Sequence, residues 1–149
     1  MVRSGEMFIG EYHHSLDEKG RMALPTKFRS SLVDGCVVTR GIDQCLSVYT
    51  MEEWKTLAEK LGTLPLAQAN SRAFSRLMLA GAMDAQPDKQ GRVVLPDYLR
   101  EYAKLDKNVV VVGLYNRLEI WDEAAWTSYK RNTEESSTDI AEKLHELGV

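Results

Sequence analysis

The chain has 149 residues, 44% of them hydrophobic and 28% charged, which fits one or two small folded domains. No run of about 18 apolar residues occurs, so a membrane-spanning helix is excluded, and Met1 to Gly10 carries charges where a signal peptide needs an apolar stretch; a cytoplasmic protein is expected. The net charge of −3 argues weakly against nucleic acid as a partner, but the acids gather at one end: Glu134, Glu135, Asp139, Glu142 and Glu146 face a single base, Lys143, in the last sixteen residues.

Met7 to His14 contains Phe8, Ile9 and Tyr12 and reads as a strand entering the turn Asp17-Glu18-Lys19-Gly20. An aspartate can accept hydrogen bonds from backbone two residues on, and glycine supplies the positive φ that a tight turn needs. Arg21 to Leu24 is the returning strand. Pro25 is suited to a first helical turn, so a helix is expected from there to about Val33, with Phe28, Ser31 and Leu32 inward. Cys36–Thr39 and Leu46–Tyr49 are two further strands. Thr50 and Glu53 have capping-box spacing ahead of a helix that carries Trp54, Leu57, Ala58 and Leu61 on one stripe.

Gly62 to Pro65 ends that helix, and Leu66–Gly81 forms a second, with Phe74, Leu77 and Met78 aligned. The same plan then runs again: a strand over Ala82–Gln86, a turn over Asp88–Gly91, a strand to Leu95, a helix over Pro96–Ala103, and strands at Val109–Val112 and Leu118–Trp121. Four consecutive valines predict a strand covered on both faces and near the middle of its sheet. Asp122 or a neighbour caps a last long helix through Trp126 and Tyr129. Asn132–Thr138 is polar, and Ile140, Ala141, Leu144 and Leu147 allow one or two more amphipathic turns.

The repetition is literal. Asp17, Gly20, Arg21, Leu24, Pro25 and Arg29 recur as Asp88, Gly91, Arg92, Leu95, Pro96 and Arg100, all at an offset of 71, and Gly41, Leu46 and Trp54 match Gly113, Leu118 and Trp126 at 72. Two units of about 45 residues are too few for a solenoid and are read as a duplicated small domain. Each alone is marginal for a core, so interlocked halves and self-association are expected.

The doubled turn is where chemistry would sit. Asp17 and Asp88 could be a carboxylate pair for acid–base work or a divalent metal, although turn aspartates more often only cap the backbone. No phosphate loop, nucleophile–histidine arrangement or zinc-binding helix motif is present, so neither an enzyme nor a cofactor is expected. His13 and His14 are adjacent on a strand and point to opposite faces, which makes a shared metal difficult. Cys36 and Cys45 lack metal or disulfide spacing and read as buried small hydrophobes. Arg21 and Arg92 each open a strand directly after an exposed turn that also carries Lys19 or Lys89. They could grip phosphates or base edges, or each could pair with the aspartate four residues earlier; the two roles are compatible if the aspartate orients the guanidinium. Arg29 and Arg100 read as ordinary solvated or paired helix residues, and Trp54 and Trp126 as packing residues rather than stacking platforms.

The blocks M-F-I-G-E-Y at Met7, D-E-K-G-R at Asp17, T-R-G-I-D-Q-C-L at Thr39, D-K-Q-G-R at Asp88 and L-E-I-W at Leu118 together resemble the MraZ family from Met7 to about Val149, with residues 1–6 preceding the family's usual start. The resemblance implies an α+β protein with two AbrB-like, swapped-hairpin, β-barrel-type repeats related by a pseudo-two-fold axis. On this reading residues 7–54 and 80–127 are the repeats, 55–79 the connecting helices and 128–149 a helical, acidic tail. It implies a nucleoid-associated transcriptional regulator, assembled as a ring and bound to tandem promoter repeats of a division and cell-wall gene cluster. The family's D-x-x-x-R pattern falls on Asp17 and Arg21 and on Asp88 and Arg92, supported by Gly20 and Gly91, with Lys19 and Lys89 as neighbouring bases. A rival reading, supported by the net charge and the acidic tail, is an oligomeric scaffold that does not bind DNA specifically.

Overall fold

The computed structural model describes residues 7–149; the segment 1–6, read above as preceding the family start, lies outside the described residues. The strands are β1 (Phe8–Ser15), β2 (Arg21–Ala23), β3 (Cys36–Arg40), β4 (Leu46–Thr50), β5 (Met83–Ala85), β6 (Arg92–Val94), β7 (Asn108–Tyr115) and β8 (Leu118–Asp122). The helices are α1 (Arg29–Leu32), α2 (Met51–Gly62), α3 (Ala69–Ala80), α4 (Asp97–Tyr102), α5 (Glu123–Glu135) and α6 (Ser137–Lys143), with single 3₁₀ turns at Thr26–Phe28 and His145–Leu147.

Side-chain capping explains two of the helix starts. Thr50 accepts a hydrogen bond from the amide of Glu53 at 3.2 Å and opens α2, and Asp122 accepts from the amide of Ala125 at 3.3 Å and opens α5. Pro25 and Pro96 keep extended ψ values of 131° and 160°, so each stands just outside its helix rather than in the first turn. After Pro25 a 3₁₀ turn precedes a four-residue α1, shorter than the helix expected to Val33. The polar segment from Asn132 does not break α5, which continues to Glu135.

Six strands form one antiparallel sheet in the order β1-β7-β8-β4-β3-β5. That order is unchanged when the repeats are exchanged: β4 and β8 meet at the middle, and the first strand of each repeat pairs with the third strand of the other. β1 aligns eight residues along β7, and β5 aligns three along β3. Neither repeat closes a barrel by itself; their strands share one sheet. The valine run belongs to β7, which lies between β1 and β8 and not at the middle of the sheet. It is covered on both faces all the same. Val109 and Val111 enter the main core, whereas Val110 and Val112 join Cys45, Trp121 and Trp126 on the other side.

β2 and β6 form a separate two-stranded ribbon, connected to the sheet by a bridge between Leu16 and Met22. Three residues per strand would be marginal in isolation. The ribbon is held because Met22 and Val93 are 0% and 1% exposed and pack in the main core with Leu24, Phe28, Leu95 and Leu99. Among the described residues no helix is long and apolar enough to cross a membrane.

Candidate nucleic-acid interface

Each turn is built by one aspartate. Oδ1 of Asp17 accepts from the amides of Lys19 and Arg21, both at 2.9 Å, and Oδ2 accepts from Nε of Arg21 at 2.6 Å. Asp88 repeats this with the amides of Gln90 and Arg92, both at 2.9 Å, and Nε of Arg92 at 2.9 Å. Gly20 and Gly91 donate to the carbonyls of Asp17 and Asp88 at 3.0 and 2.9 Å, and both have φ of +76°, a conformation costly for any residue with a Cβ.

The Asp–Arg pair weighed from spacing is therefore present in both turns, and it engages the guanidinium through Nε. Among the described residues neither guanidinium makes a further hydrogen bond, so the terminal nitrogens of Arg21 and Arg92 keep donor capacity while the pair fixes the plane of each group. The carboxylates are acceptors committed to their own turns. The Arg21 amide is the main influence holding Asp17 down at about 2, opposed by partial desolvation and reinforced by the Arg21 guanidinium and the Lys19 amide. Asp88 lies below the usual carboxylate range for the corresponding reasons, the Arg92 amide first.

Strand register brings the two arginines together. In the ribbon Arg21 lies opposite Val94, and Ala23 lies opposite Arg92. Side chains alternate along a strand, so Arg21, Ala23, Arg92 and Val94 share the outer face while Met22 and Val93 point into the core. Diagonal neighbours on such a face are about 7–8 Å apart. The turns themselves stand at opposite ends of the ribbon, which places exposed Lys19 beyond one end and exposed Lys89 beyond the other. An open groove of about 720 Å³ runs from the first turn to residues 105–107, and Lys19, Arg21, Arg100 and Lys107 line it with Asp17, Glu18 and Asp106.

Sequence reasoning undervalued Arg29 and Arg100. Nε of Arg29 donates to the carbonyl of Leu24 at 3.0 Å, and Nε of Arg100 to that of Leu95 at 2.8 Å. Each also lies beneath the turn of the other repeat: a Cβ on Gly91 would come within 2.5 Å of Arg29 Nε, and one on Gly20 within 3.0 Å of Arg100. The turns are further tied across the ribbon, where Leu24 donates to the carbonyl of Gly91 at 2.8 Å and Leu95 to that of Gly20 at 2.9 Å. The matched spacing of the two arginines was the available signal. Arg100 additionally pairs with Asp97 through Nη2.

Other candidates are drawn elsewhere. Among the described residues no three His, Cys, Asp or Glu side chains group to hold a metal ion. His13 Nδ1 is 3.3 Å from Glu123 and its Nε2 is 3.4 Å from Glu11. Cys36 and Cys45 are buried free thiols pushed up to about 12 by desolvation. Trp54 packs on Tyr49 with ring centroids 5.8 Å apart, and Trp126 packs on Trp121 at 5.3 Å.

The sequence matches, at residues 7–77 and again at 78–147, the family described as "MraZ protein, putative antitoxin-like". A protein of Natranaerobius thermophilus named Transcriptional regulator MraZ is 50% identical over 143 residues, covering 96% of this chain and all of that protein. Its namesake in Thermoanaerobacter pseudethanolicus is 48% identical over the same 143 residues, again 96% of this chain and all of the relative. That of Carboxydothermus hydrogenoformans is 49% identical over 138 residues, 93% and 96% of the two chains. With two family matches that together span nearly all the described residues and contain both Asp–Gly–Arg turns, the chain belongs to the MraZ family.

Proposed function

We propose that this chain is a sequence-specific DNA-binding transcriptional regulator and not an enzyme, and that the β2–β6 ribbon is its reading element. The observation that carries the proposal is the placement of Arg21 and Arg92 on one outer face of a two-stranded ribbon, each oriented by its own aspartate. A major groove about 12 Å wide admits such a ribbon, and arginine is the usual partner of guanine O6 and N7. Lys19 and Lys89, just beyond the ends of the ribbon, are placed to meet backbone phosphates. The relatives' shared name, Transcriptional regulator MraZ, agrees with this role.

A ring of copies bound to tandem promoter repeats reconciles this reading with a net charge of −3. A protomer neutralising about two phosphates has a salt slope of only about −1.8 and binds weakly. Further units on the same assembly make later contacts intramolecular and raise affinity by roughly 10² to 10⁴. Localisation with the nucleoid follows from the same reading. The pairing of each repeat's first strand with the other repeat is what an AbrB-like swapped hairpin requires, and we assign the fold to that class, with repeats over 7–54 and 80–127, connecting helices between them and an acidic tail from residue 128.

The test is binding to a duplex carrying the repeats upstream of the chain's own gene, against a scrambled duplex, across a salt series. Tight, salt-sensitive preference for the repeats is expected. Equal and weak binding to both would leave the oligomeric scaffold as the function. Replacing Arg21 and Arg92 together by alanine is expected to abolish the preference with the assembly intact; loss of the assembly instead would assign the arginines a structural role.

A further inference from the structure

The outer face of the ribbon holds more than its two arginines. Val94 lies directly opposite Arg21 and is 53% exposed, although its strand neighbour Val93 is 1% exposed. The repeat places Ala23 at the equivalent position opposite Arg92, so the two ends of the face are chemically unequal. About half of the Val94 surface is open to solvent. The four side chains present two guanidiniums, one methyl and one branched aliphatic group, with no carboxylate to accept from cytosine and no amide to pair with adenine. In the major groove, guanidiniums select guanine, and an apolar side chain finds one apolar feature, the C5-methyl of thymine.

We propose that Val94 is a specificity-determining residue that packs on a thymine methyl next to the guanine read by Arg21. The proposal rests on the DNA-binding reading above. Directly opposite strand positions have Cβ atoms about 4.5–5.5 Å apart, and successive bases of one strand are separated by about 3.4 Å along the axis, so the two contacts fall within one or two base steps. Ala23 offers a single, half-buried methyl group beside Arg92, a smaller apolar surface for the equivalent contact. One end of each ribbon therefore reads thymine beside guanine more strongly than the other, which gives a pseudo-symmetric protein an asymmetric site.

The experiment replaces the thymines of the promoter repeat one at a time by deoxyuridine, which removes only the C5-methyl. Affinities for the thymine and uracil duplexes are then measured at fixed salt for the wild-type chain, for V94A and for the R21A/R92A variant. Wild type is expected to bind about threefold to fivefold more weakly when one particular thymine is replaced, the factor that burying a single methyl supplies. V94A is expected to lose most of this preference, binding both duplexes near the wild-type level for the uracil duplex and with an unchanged salt slope. Because Val94 is exposed, the substitution removes no core contact. Wild-type indifference to every replacement overturns the proposal, as does a V94A chain that keeps the thymine preference. If those results come while wild type still prefers the repeats and the double arginine variant does not, only the Val94 assignment fails. If wild type shows no preference for the repeats over scrambled DNA, the DNA-binding reading falls and this one falls with it.

Discussion

In the first turn Asp17 gathers two amides and one guanidinium, and in the second Asp88 gathers the same three donors at distances that agree within 0.3 Å. The segments that face these turns differ. Leu16 donates to the carbonyl of Lys107 at 2.8 Å beside the first turn. At the equivalent place Pro87 has no N–H to donate, and extending the β3–β5 register sets Asp34 across from it. Turn geometry has few solutions once an αL glycine and a bridging aspartate are required, whereas a loop beside it tolerates a change of length or charge at little cost. The reading elements of the two repeats are thus alike, and their surroundings are not.

Replacement of the arginines tests the likeness most severely. If both turns read bases, Arg21→Ala and Arg92→Ala should each weaken promoter binding by about tenfold or more, and together by more than about a hundredfold, since a bidentate arginine–guanine contact is worth about 1–3 kcal/mol. Binding isotherms of the single and double variants at matched salt measure this. One single variant that equals the double variant, paired with one that equals wild type, would make the turn of the silent variant a structural copy and not a second reader.

The register separates the repeats in a way the residues alone did not reveal. Arg40 pairs with Leu46 in β3–β4, and Gly113 pairs with Leu118 in β7–β8, so Gly113 is the counterpart of Arg40 and not of Gly41. Two residues have been added before β7, and the following hairpin loop is one residue shorter. Core facing agrees: Cys36 and Val38 enter the main core, as do Val109 and Val111, whereas the sequence match would have set Val37 against Val109 on the wrong face. The turns, strands and caps were legible because they are local, encoded by a glycine, an aspartate or a threonine at fixed spacing. Interlocked halves were expected, but which strands are exchanged, the shared face of Arg21 and Arg92 and the support from Arg29 and Arg100 were not legible, because pairing between distant segments is chosen by the burial it achieves. Repetition showed that the halves match; it carried no information about which half pairs with which.

A glycine substitution sharpens this point. A Cβ on Gly113 would lie 2.4 Å from the Ile9 amide and 2.6 Å from the Phe8 carbonyl carbon, both backbone atoms of β1. Gly113→Ala must push the exchanged strand away from β7 and is expected to destabilise the fold by about 1–3 kcal/mol. Gly41→Ala meets the side chains of Cys45 and Ser47 at 2.8 and 2.9 Å and the Cys45 carbonyl at 3.0 Å, so its effect should be smaller. Chemical denaturation of both variants measures the difference; equal losses would mean that β1 yields freely and is not fixed by the close approach.

Thr39 shows a smaller asymmetry. Its buried hydroxyl donates to the carbonyl of Met78 at 2.6 Å and ties α3 to β3, while Val112 occupies the corresponding place in β7. Thr39→Val leaves that carbonyl without its partner and should lower stability by about 1 kcal/mol, read as a shift of the denaturation midpoint at unchanged slope. Val112 has no hydroxyl and makes no such tie, so the loss should be specific to the first repeat. A Thr39→Val chain as stable as wild type would show that α3 is held by packing alone.

The acid limb of stability gives the finest comparison of the two turns. Both aspartates have folded-state values below the ordinary one near 3.9, Asp17 at about 2, so each contributes stability that is complete above about pH 4 and lost as pH falls through its folded value. At neutral pH both are ionised and both guanidiniums are held, so promoter binding should not vary with pH through these groups between about 5 and 8. The dominant influence on each carboxylate is a backbone amide, which survives replacement of the arginine side chain. In Arg21→Ala the Asp17 midpoint, followed by carboxyl-carbon NMR, should therefore rise only part of the way toward its ordinary value. Arg92→Ala should move Asp88 less, because the Nε contact there is 2.9 Å against 2.6 Å in the first turn. A full return of Asp17 to its ordinary value would show that the guanidinium, and not the folded turn, holds the carboxylate ionised, and the turn could then no longer be regarded as a support assembled independently of the arginine it presents.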